Sequence, residues 1–250
     1  MKQQNRLLIG LAAGMFITSS GFAASIVGSK HDLSTGGGAP NVAATETSVC
    51  VFCHTPHGAD TGAPAPLWNK ALPDAATFTD YTSSTLDGTA DITGSVSLAC
   101  LSCHDGSQAM DSVINVPGSG GYLASGAQTI DGTIGAMSIA SPVPGIGTDL
   151  TNDHPVSVEY GGGGAVWGNS YALNDAAFAD NAFKAVTYTA ATDKTATTSN
   201  SLPLYEKTVG GAQLAMVECA SCHDPHDNAN GTFLRVSNAA SAVCTSCHVK

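Results

Sequence analysis

The chain has few of the side chains that usually fill a globular core. Aromatic residues make up 6% of its 250 residues, whereas glycine alone contributes 28. Small residues dominate instead, which excludes a large core of bulky side chains. We therefore expect many loops, modest secondary structure and a core that is completed by an additional apolar group.

Positive charge is also scarce. Nine Lys and Arg residues stand against 20 Asp and Glu residues, which gives a formal net charge of −11 at pH 7. Nucleic acid and anionic membrane surfaces are poor partners for such a chain. Cationic proteins, metal cations and positively charged mineral surfaces are better candidates.

A run of about 20 apolar residues, as a membrane-spanning helix needs, is missing. The apolar run at residues 7–18 is shorter; it follows Lys2 and Arg6 and precedes a small-x-small site at residues 21–23. This pattern predicts a secretory signal peptide over residues 1–23. We expect residues 24–250 to be exported and to form one domain.

The chain does contain one cysteine motif, written four times: Cys50-Val-Phe-Cys53-His54, Cys100-Leu-Ser-Cys103-His104, Cys219-Ala-Ser-Cys222-His223 and Cys244-Thr-Ser-Cys247-His248. We number these copies motifs 1 to 4. They use all eight cysteines, so none is left for a disulfide. Cys-x-x-Cys-His is the attachment signature of c-type haem. The motifs therefore predict four covalent haems, held by the eight cysteines, with His54, His104, His223 and His248 as proximal iron ligands.

Two other kinds of site also use Cys-x-x-Cys pairs. A four-cysteine zinc site and a thioredoxin-like dithiol are the alternatives, but neither requires a histidine after the second cysteine. Only motifs 3 and 4 lie close enough together in the sequence for a zinc ribbon. Haem attachment is therefore the preferred interpretation.

Four further histidines match the four predicted irons in number. Complete bis-histidine ligation would use them all as distal ligands: His31, His57, His154 and His226. Methionine is the other common distal ligand, and outside the predicted signal peptide it stands at positions 110, 137 and 216. The equal numbers favour bis-histidine ligation.

Two of these distal candidates follow a proximal histidine by three residues. On one helical turn, His57 would share a face with His54, and His226 would share a face with His223. Each would then ligate a neighbouring haem rather than its own. From proximity in the sequence we expect His57 to serve the second haem and His226 the fourth, which leaves His31 and His154 for the first and third in either order.

The motifs fall into two pairs, separated by a haem-free stretch of about residues 106–215. Short alternating segments such as residues 185–189 predict small hairpins there. A loop of this length is improbable in a compact domain, so we expect the stretch to drape over the haems, with an independently folded second domain as the alternative. The expected fold is a loop-rich multihaem cytochrome c with low secondary structure, short helices at the motifs, a few small β-hairpins and haems forming the core.

Several segments resemble the doubled Cys-x-x-Cys-His cytochromes, most closely the outer-surface tetrahaem c-type cytochromes of metal-reducing bacteria that polymerise into extracellular filaments. These segments are residues 29–34, 53–57, 66–69, 153–157, 222–226 and 233–235. The resemblance is weakest in residues 105–150. It implies distal ligands at His31, His57, His154 and His226 and a line of alternately stacked and T-shaped haems. It also implies one histidine that ligates a haem of the next subunit.

Electron transfer is the function that these features favour, because iron with two histidine ligands has no open position for a substrate. We therefore predict an electron-transfer protein rather than an enzyme. The resemblance favours a subunit of an extracellular conductive filament that carries respiratory electrons to outside acceptors, with redox proteins and further copies of the chain as partners. A soluble periplasmic tetrahaem carrier and a multihaem oxyanion reductase are the alternatives. In a filament, His31, which lies beside residues 36–38 (three glycines), is the expected ligand for a neighbouring subunit.

Overall fold

Regular secondary structure is sparse, as the composition predicts. The computed structural model describes residues 26–86, 88–118, 121–137, 145–161, 183–184, 187–188, 196–198, 202–209 and 212–249. The predicted signal peptide lies outside these residues, and the single-domain prediction stays a prediction. None of the helices within the described ranges has the length and apolar character of a membrane span.

Three short helices form at the cysteine motifs. They are α1 (Ser97–His104), α2 (Cys219–Cys222) and α3 (Ala242–Cys247), and they carry motifs 2, 3 and 4. Motif 1 forms a single helical turn, closed by a hydrogen bond of 2.8 Å from His54 N to Cys50 O. The predicted short helices are therefore confirmed at three motifs. Single turns of 3-10 helix occur at Ala75–Thr77 and Ala239–Ser241.

Two antiparallel sheets supply the strands. One pairs β1 (Ser112–Val113) with β2 (Gln128–Thr129). The other contains β3 (Val158–Glu159), β4 (Thr187–Tyr188), β5 (Ala196–Thr197), β6 (Pro203–Val209) and β7 (Ala212–Val217), in the order β3-β7-β6-β5-β4. The β4–β5 pair falls where the sequence predicts a small hairpin.

The hairpin of β6 and β7 is longer than expected. Its register runs from Tyr205 opposite Met216 to Val209 opposite Ala212. In the sequence the two strands are separated by Gly-Gly, a strong hairpin signal. Strand β7 ends directly before Glu218, which precedes motif 3, so the sheet positions this motif.

Within the described part of the chain, the apolar core is divided into three small clusters. Two of them are completed by cysteines of the motifs: Cys53 and Cys103 pack on the first cluster, and Cys247 packs on the third. The buried members are Leu33, Ala43, Phe52, Met110 and Ile134 in the first cluster, Ile92, Leu98, Leu101 and Leu150 in the second, and Tyr160, Leu204 and Ala215 in the third. The stretch between the motif pairs supplies buried side chains to each of these clusters, so it packs against the motifs.

Candidate functional site

Each motif is built on one helical turn that presents its two thiols together. His223 N donates to Cys219 O at 3.0 Å and His248 N donates to Cys244 O at 2.9 Å, as His54 N does in motif 1. Residues three apart on such a turn share a face, so both thiols of a motif point to the same side. Among the described residues, no group of three or more His, Cys, Asp or Glu side chains is placed to hold a metal ion.

The second cysteines of motifs 1 and 4 are half-buried. Burial is the main cause that raises the pKa of Cys53 and the pKa of Cys247 to about 12 each. Both groups therefore stay in the uncharged thiol form at neutral pH. The first cysteines of these motifs, Cys50 and Cys244, are exposed.

The proximal imidazoles of motifs 1 and 3 are oriented by backbone carbonyls. His54 Nδ1 donates to Pro66 O at 2.8 Å, and His223 Nδ1 donates to Thr232 O at 2.9 Å. A metal-ligating histidine usually holds its second ring nitrogen in this way, which fixes the tautomer. The Nε2 atom of each ring is thereby left in the form that binds iron.

These two carbonyls belong to a backbone frame that occurs twice. We call residues 50–69 the motif-1 unit and residues 219–235 the motif-3 unit. In the motif-1 unit His54 forms an antiparallel bridge with Trp68, and in the motif-3 unit His223 forms the same bridge with Leu234. In both units the carbonyl that accepts from the imidazole lies two residues before the bridge partner.

Further backbone bonds of the frame agree between the two units. In each unit the backbone N–H of the residue after the proximal histidine donates to the carbonyl of the residue before the bridge partner. The backbone N–H of the residue after the bridge partner donates to the carbonyl of the second cysteine. The four bonds are Thr55 N to Leu67 O (2.9 Å), Asn69 N to Cys53 O (2.8 Å), Asp224 N to Phe233 O (2.8 Å) and Arg235 N to Cys222 O (2.9 Å). The frame is therefore a property of the backbone and not of particular side chains.

A strained residue sits at the same place in each frame. Leu67 has φ +55° and Phe233 has φ +57°, a region that costs an L-residue about 1–2 kcal/mol. Both residues follow the carbonyl that accepts from the proximal imidazole. The left-handed conformation thus bends the chain at the point where this carbonyl meets the ring.

Motif 4 uses part of the same frame with a different segment. Phe183 forms the antiparallel bridge with His248, and Lys184 N donates to Cys247 O at 2.7 Å. Here the bridging segment precedes the motif in sequence by more than 60 residues. Motif 2 differs, because α1 carries it through His104 and the His104 carbonyl accepts from Ile146 N at 2.7 Å.

The four predicted distal ligands occupy different surroundings. His31 is half-buried, stacks on Phe233 with ring centroids 4.0 Å apart and has its Nδ1 3.4 Å from Pro225 O. Burial lowers its pKa, and the neighbouring His104 adds to this effect, so the ring is in the neutral form that binds metal. The other three are exposed: His57, His154 and His226.

Two histidine pairs have the spacing of axial ligands on one iron. The ring centroids of His54 and His226 are 6.0 Å apart, and those of His31 and His104 are 6.1 Å apart. Metal–imidazole bonds are about 2 Å long, so two imidazoles on opposite sides of one metal have centroids about 6 Å apart. Each pair joins a proximal ligand to a predicted distal one.

This arrangement points to a pairing other than the one expected from sequence proximity. The His226 ring lies beside that of His54 in motif 1, and the His31 ring lies beside that of His104 in motif 2 while it also contacts the motif-3 unit. The reason is the tertiary fold of the motif-3 unit, whose Phe233 and Pro225 contact His31. The motif-3 unit therefore packs against the first half of the chain.

The thiols of successive motifs lie near one another. Cys103 is close enough to Cys53 to raise the pKa of that thiol, and Cys244 does the same to Cys222, in both cases after the larger effect of burial. The thiols of Cys100 and Cys219 also interact, which raises the pKa of Cys100 and lowers that of Cys219. The motifs thus follow one another in space in the order 1-2-3-4.

The residues at these motifs fit a c-type haem. Besides the paired thiols and oriented imidazoles, Trp68 Nε1 is buried and has no hydrogen-bond partner among the described residues, while its ring lies 5.8 Å from that of His54. A buried N–H group without a partner indicates an acceptor that completes the site, such as a carboxylate. A bound c-type haem supplies two propionate carboxylates and a one-electron iron couple.

Comparison with known proteins agrees with this chemistry. The family model described as "Doubled CXXCH motif" matches residues 212–250, which contain β7 and motifs 3 and 4. The match supports a multihaem c-type cytochrome. It indicates covalent haem binding and electron transport, and cytochromes of this kind are typically exported. Motifs 1 and 2 lie outside the matched residues. No curated protein matches the chain.

Several residues that build the site have no obvious sequence signal. The acceptor carbonyls and the strained Leu67 and Phe233 are properties of the backbone, which sequence reasoning missed. Asn115 also escaped notice, although its N–H and carbonyl hydrogen-bond to Asn69 at 3.0 Å each. A comparison of residues 66–69 with residues 232–235, each a short segment after a Cys-His-x-Pro-His run, could have revealed the two equivalent frames.

Proposed function

We propose that the protein carries electrons through four covalently attached haems, one on each motif. The observation that supports this number is the helical turn on which each of the four motifs presents its two thiols together. Motif 1, outside the matched family segment, has the same turn, the same imidazole–carbonyl bond and the same bridge as motif 3 inside it. An equivalent frame is expected to hold an equivalent group.

We further propose bis-histidine ligation at each iron. His226 is assigned to the iron of His54, and His31 to the iron of His104, on the basis of their 6.0 and 6.1 Å separations. His57 and His154 remain for the irons of His223 and His248. Iron with two protein ligands changes oxidation state without binding a substrate, so the function proposed is electron transfer and not catalysis.

The proposed setting is outside the cytoplasm, in an extracellular filament of repeated subunits. The resemblance to filament-forming cytochromes supports this setting, and the low content of positive charge suits contact with cationic redox partners or mineral surfaces. We propose that any ligand shared between subunits is His57 or His154, because both side chains are exposed and so accessible to a neighbouring subunit. A soluble periplasmic carrier is the competing form.

Three measurements on the secreted protein test these proposals. Mass spectrometry should give the chain mass plus four haems, and electron paramagnetic resonance should show only low-spin ferric iron. A five-coordinate, high-spin iron would contradict bis-histidine ligation and revive an oxyanion reductase. Electron microscopy should show filaments, whereas discrete monomers with four low-spin haems would leave the periplasmic carrier.

A further inference from the structure

Lys70 is a buried cation between motifs 1 and 2. Its side chain is 0% exposed, and its ammonium donates to three backbone carbonyls: Ala109 O at 3.1 Å, Met110 O at 3.2 Å and Ser112 O at 2.6 Å. A protonated lysine has three N–H donors, so these carbonyls satisfy all of them. These three acceptors match the three donors of the charged ammonium form, in a place that water does not reach.

The position of Lys70 ties it to both motifs. It follows Asn69, whose N–H donates to Cys53 O of motif 1, and its acceptor carbonyls begin five residues after His104 of motif 2. Met110, one of the acceptors, belongs to the cluster on which Cys53 and Cys103 pack. The ammonium also acts on both thiols, because it lowers the pKa of each against the larger effect of burial.

Two other partly buried cations of the described residues are paired with acids, and Lys184, whose N–H donates to Cys247 O of motif 4, is only half-buried, so water screens its charge more than that of Lys70. Arg235 NH1 lies 3.0 Å from Asp224 Oδ2 near motif 3, and Lys207 Nζ lies 3.4 Å from Asp91 Oδ2. Among the ion pairs of the described residues, none includes Lys70. Its carbonyl ligands are neutral, and the Asp111 carboxylate in the same turn instead accepts from Ile134 N at 3.4 Å.

We propose that Lys70 sets the reduction potentials of the haems on motifs 1 and 2 and raises them above those on motifs 3 and 4. This inference rests on the proposed electron-transfer function. A nearby fixed positive charge favours the reduced, less positive state of an iron centre, and the effect is strong where water is excluded. The unequal placement of cations then gives the line of haems a direction for electron flow.

The size of the effect follows from Coulomb's law. A unit charge about 10 Å from a redox centre, at an effective dielectric constant of about 20, changes an equilibrium constant by about tenfold. Electron transfer from the haems on motifs 3 and 4 to those on motifs 1 and 2 has an equilibrium constant that depends on this charge. Removal of the Lys70 charge should lower that constant by about tenfold. A purely structural lysine would leave this constant unchanged.

The test compares a charge-removing and a charge-retaining variant of the haem-loaded full chain. Lys70→Gln keeps two N–H donors for the carbonyls, and Lys70→Arg keeps the charge. Lys207→Gln is the matched control, because it removes a cation that is itself 9% exposed, pairs with the half-exposed Asp91 and lies away from the first cluster. Stepwise reduction followed by NMR of the haem methyl groups gives the potential of each haem, without reliance on turnover.

We expect Lys70→Gln to lower the potentials of the haems on motifs 1 and 2, and Lys70→Arg and Lys207→Gln to leave them near those of the unmodified protein. Equal reduction potentials in Lys70→Gln and the unmodified protein would overturn the proposal. It would also be overturned if Lys70→Arg lowered these potentials as much as Lys70→Gln does. If neither Lys70 variant assembles, the order in which the haems of the unmodified protein are reduced is the test. The proposal is contradicted if the haems on motifs 1 and 2 are reduced after those on motifs 3 and 4. Failure of the electron-transfer function itself would appear differently, as haems absent or not reducible in the unmodified protein.

Discussion

The motif-1 unit and the motif-3 unit have the same backbone frame but different side chains inside it. In the motif-3 unit the frame is closed by its own residues, because Arg235 pairs with Asp224 at 3.0 Å and Asn230 Nδ2 donates to Leu234 O and Arg235 O at 3.1 Å each. In the motif-1 unit the corresponding position is Asn69, which bonds Asn115 from 46 residues away. One unit is local and the other depends on tertiary contacts.

The family match covers only one of the two units. A contiguous family model matches residues 212–250, where the contacts of the unit lie close together in sequence. The motif-1 unit has a frame of the same geometry, but its side chains serve a longer-range contact. The backbone geometry around a haem motif is thus more constant than the residues that stabilise it.

The largest expected effect comes from the histidines at equivalent positions of the two units. We expect His226→Ala to convert the haem on motif 1 to a high-spin form, because the His226 ring lies 6.0 Å from His54. His57→Ala is the matched variant, since His57 occupies the same place after motif 1 but is exposed. Electron paramagnetic resonance detects the spin state, and NMR of the haem methyl groups identifies the affected haem.

In His57→Ala the haems on motifs 1 and 2 should stay low-spin, because their assigned distal ligands are His226 and His31. A high-spin haem on motif 4 in His226→Ala would instead restore the pairing expected from sequence proximity. That result would show that the two units pack together differently from the arrangement described above.

The next largest effect is expected on the stability of the protein when Asn69, the buried asparagine of the motif-1 unit, is replaced. Asn69 is 1% exposed, and its side chain bonds Val51 O at 2.7 Å as well as both backbone groups of Asn115. Asn69→Ala leaves these buried groups without a partner, so we expect the free energy of unfolding to fall by about 3 kcal/mol. Chemical denaturation followed by circular dichroism in the haem region measures this change.

Asn230→Ala is the control from the motif-3 unit, where the asparagine is exposed. Water can replace its bonds to Leu234 O and Arg235 O, so we expect a loss of about 0.5–1 kcal/mol. Equal losses in the two variants would contradict the view that the motif-1 unit depends more strongly on its asparagine.

The sequence predicted the chemistry of the site better than its arrangement. Four motifs of one pattern and four remaining histidines are countable, and low aromatic content correctly predicted a loop-rich fold with little secondary structure. The pairing proposed for His226 and His31 differs from the one that the sequence predicts, because spacing of three residues fixes a face of one turn but not the segment that packs against it. Lys70 was missed for a similar reason, since its three acceptors lie about 40 residues further along the chain.

The smallest expected effect concerns the residue directly before each of the two units. This residue is Val49 before the motif-1 unit and Glu218 before the motif-3 unit. Glu218 is 2% exposed, and its carboxyl accepts from the hydroxyls of Ser95 and Ser97 at 2.5 Å each. Burial raises its pKa above the ordinary value of 4.5, although both hydroxyls and the charge of Lys207 oppose this shift.

The folded protein therefore holds the Glu218 proton more tightly than the unfolded chain does. This contribution to stability is fully present below pH 4.5 and is lost as the pH rises through the folded pKa. Glu218→Gln should remove this loss of stability with rising pH. The free energy of unfolding of the variant minus that of the unmodified protein should therefore increase as the pH rises from 4.5 through the folded pKa of Glu218. Asp149→Asn is the control: hydrogen bonds from Thr151 lower the pKa of Asp149, so the group is ionised in both states above pH 4.5 and its replacement should add no slope there. Unfolding curves at several pH values measure the difference, and a slope in Glu218→Gln that equals that of the unmodified protein would mean that the buried carboxyl does not distinguish the two units in this way.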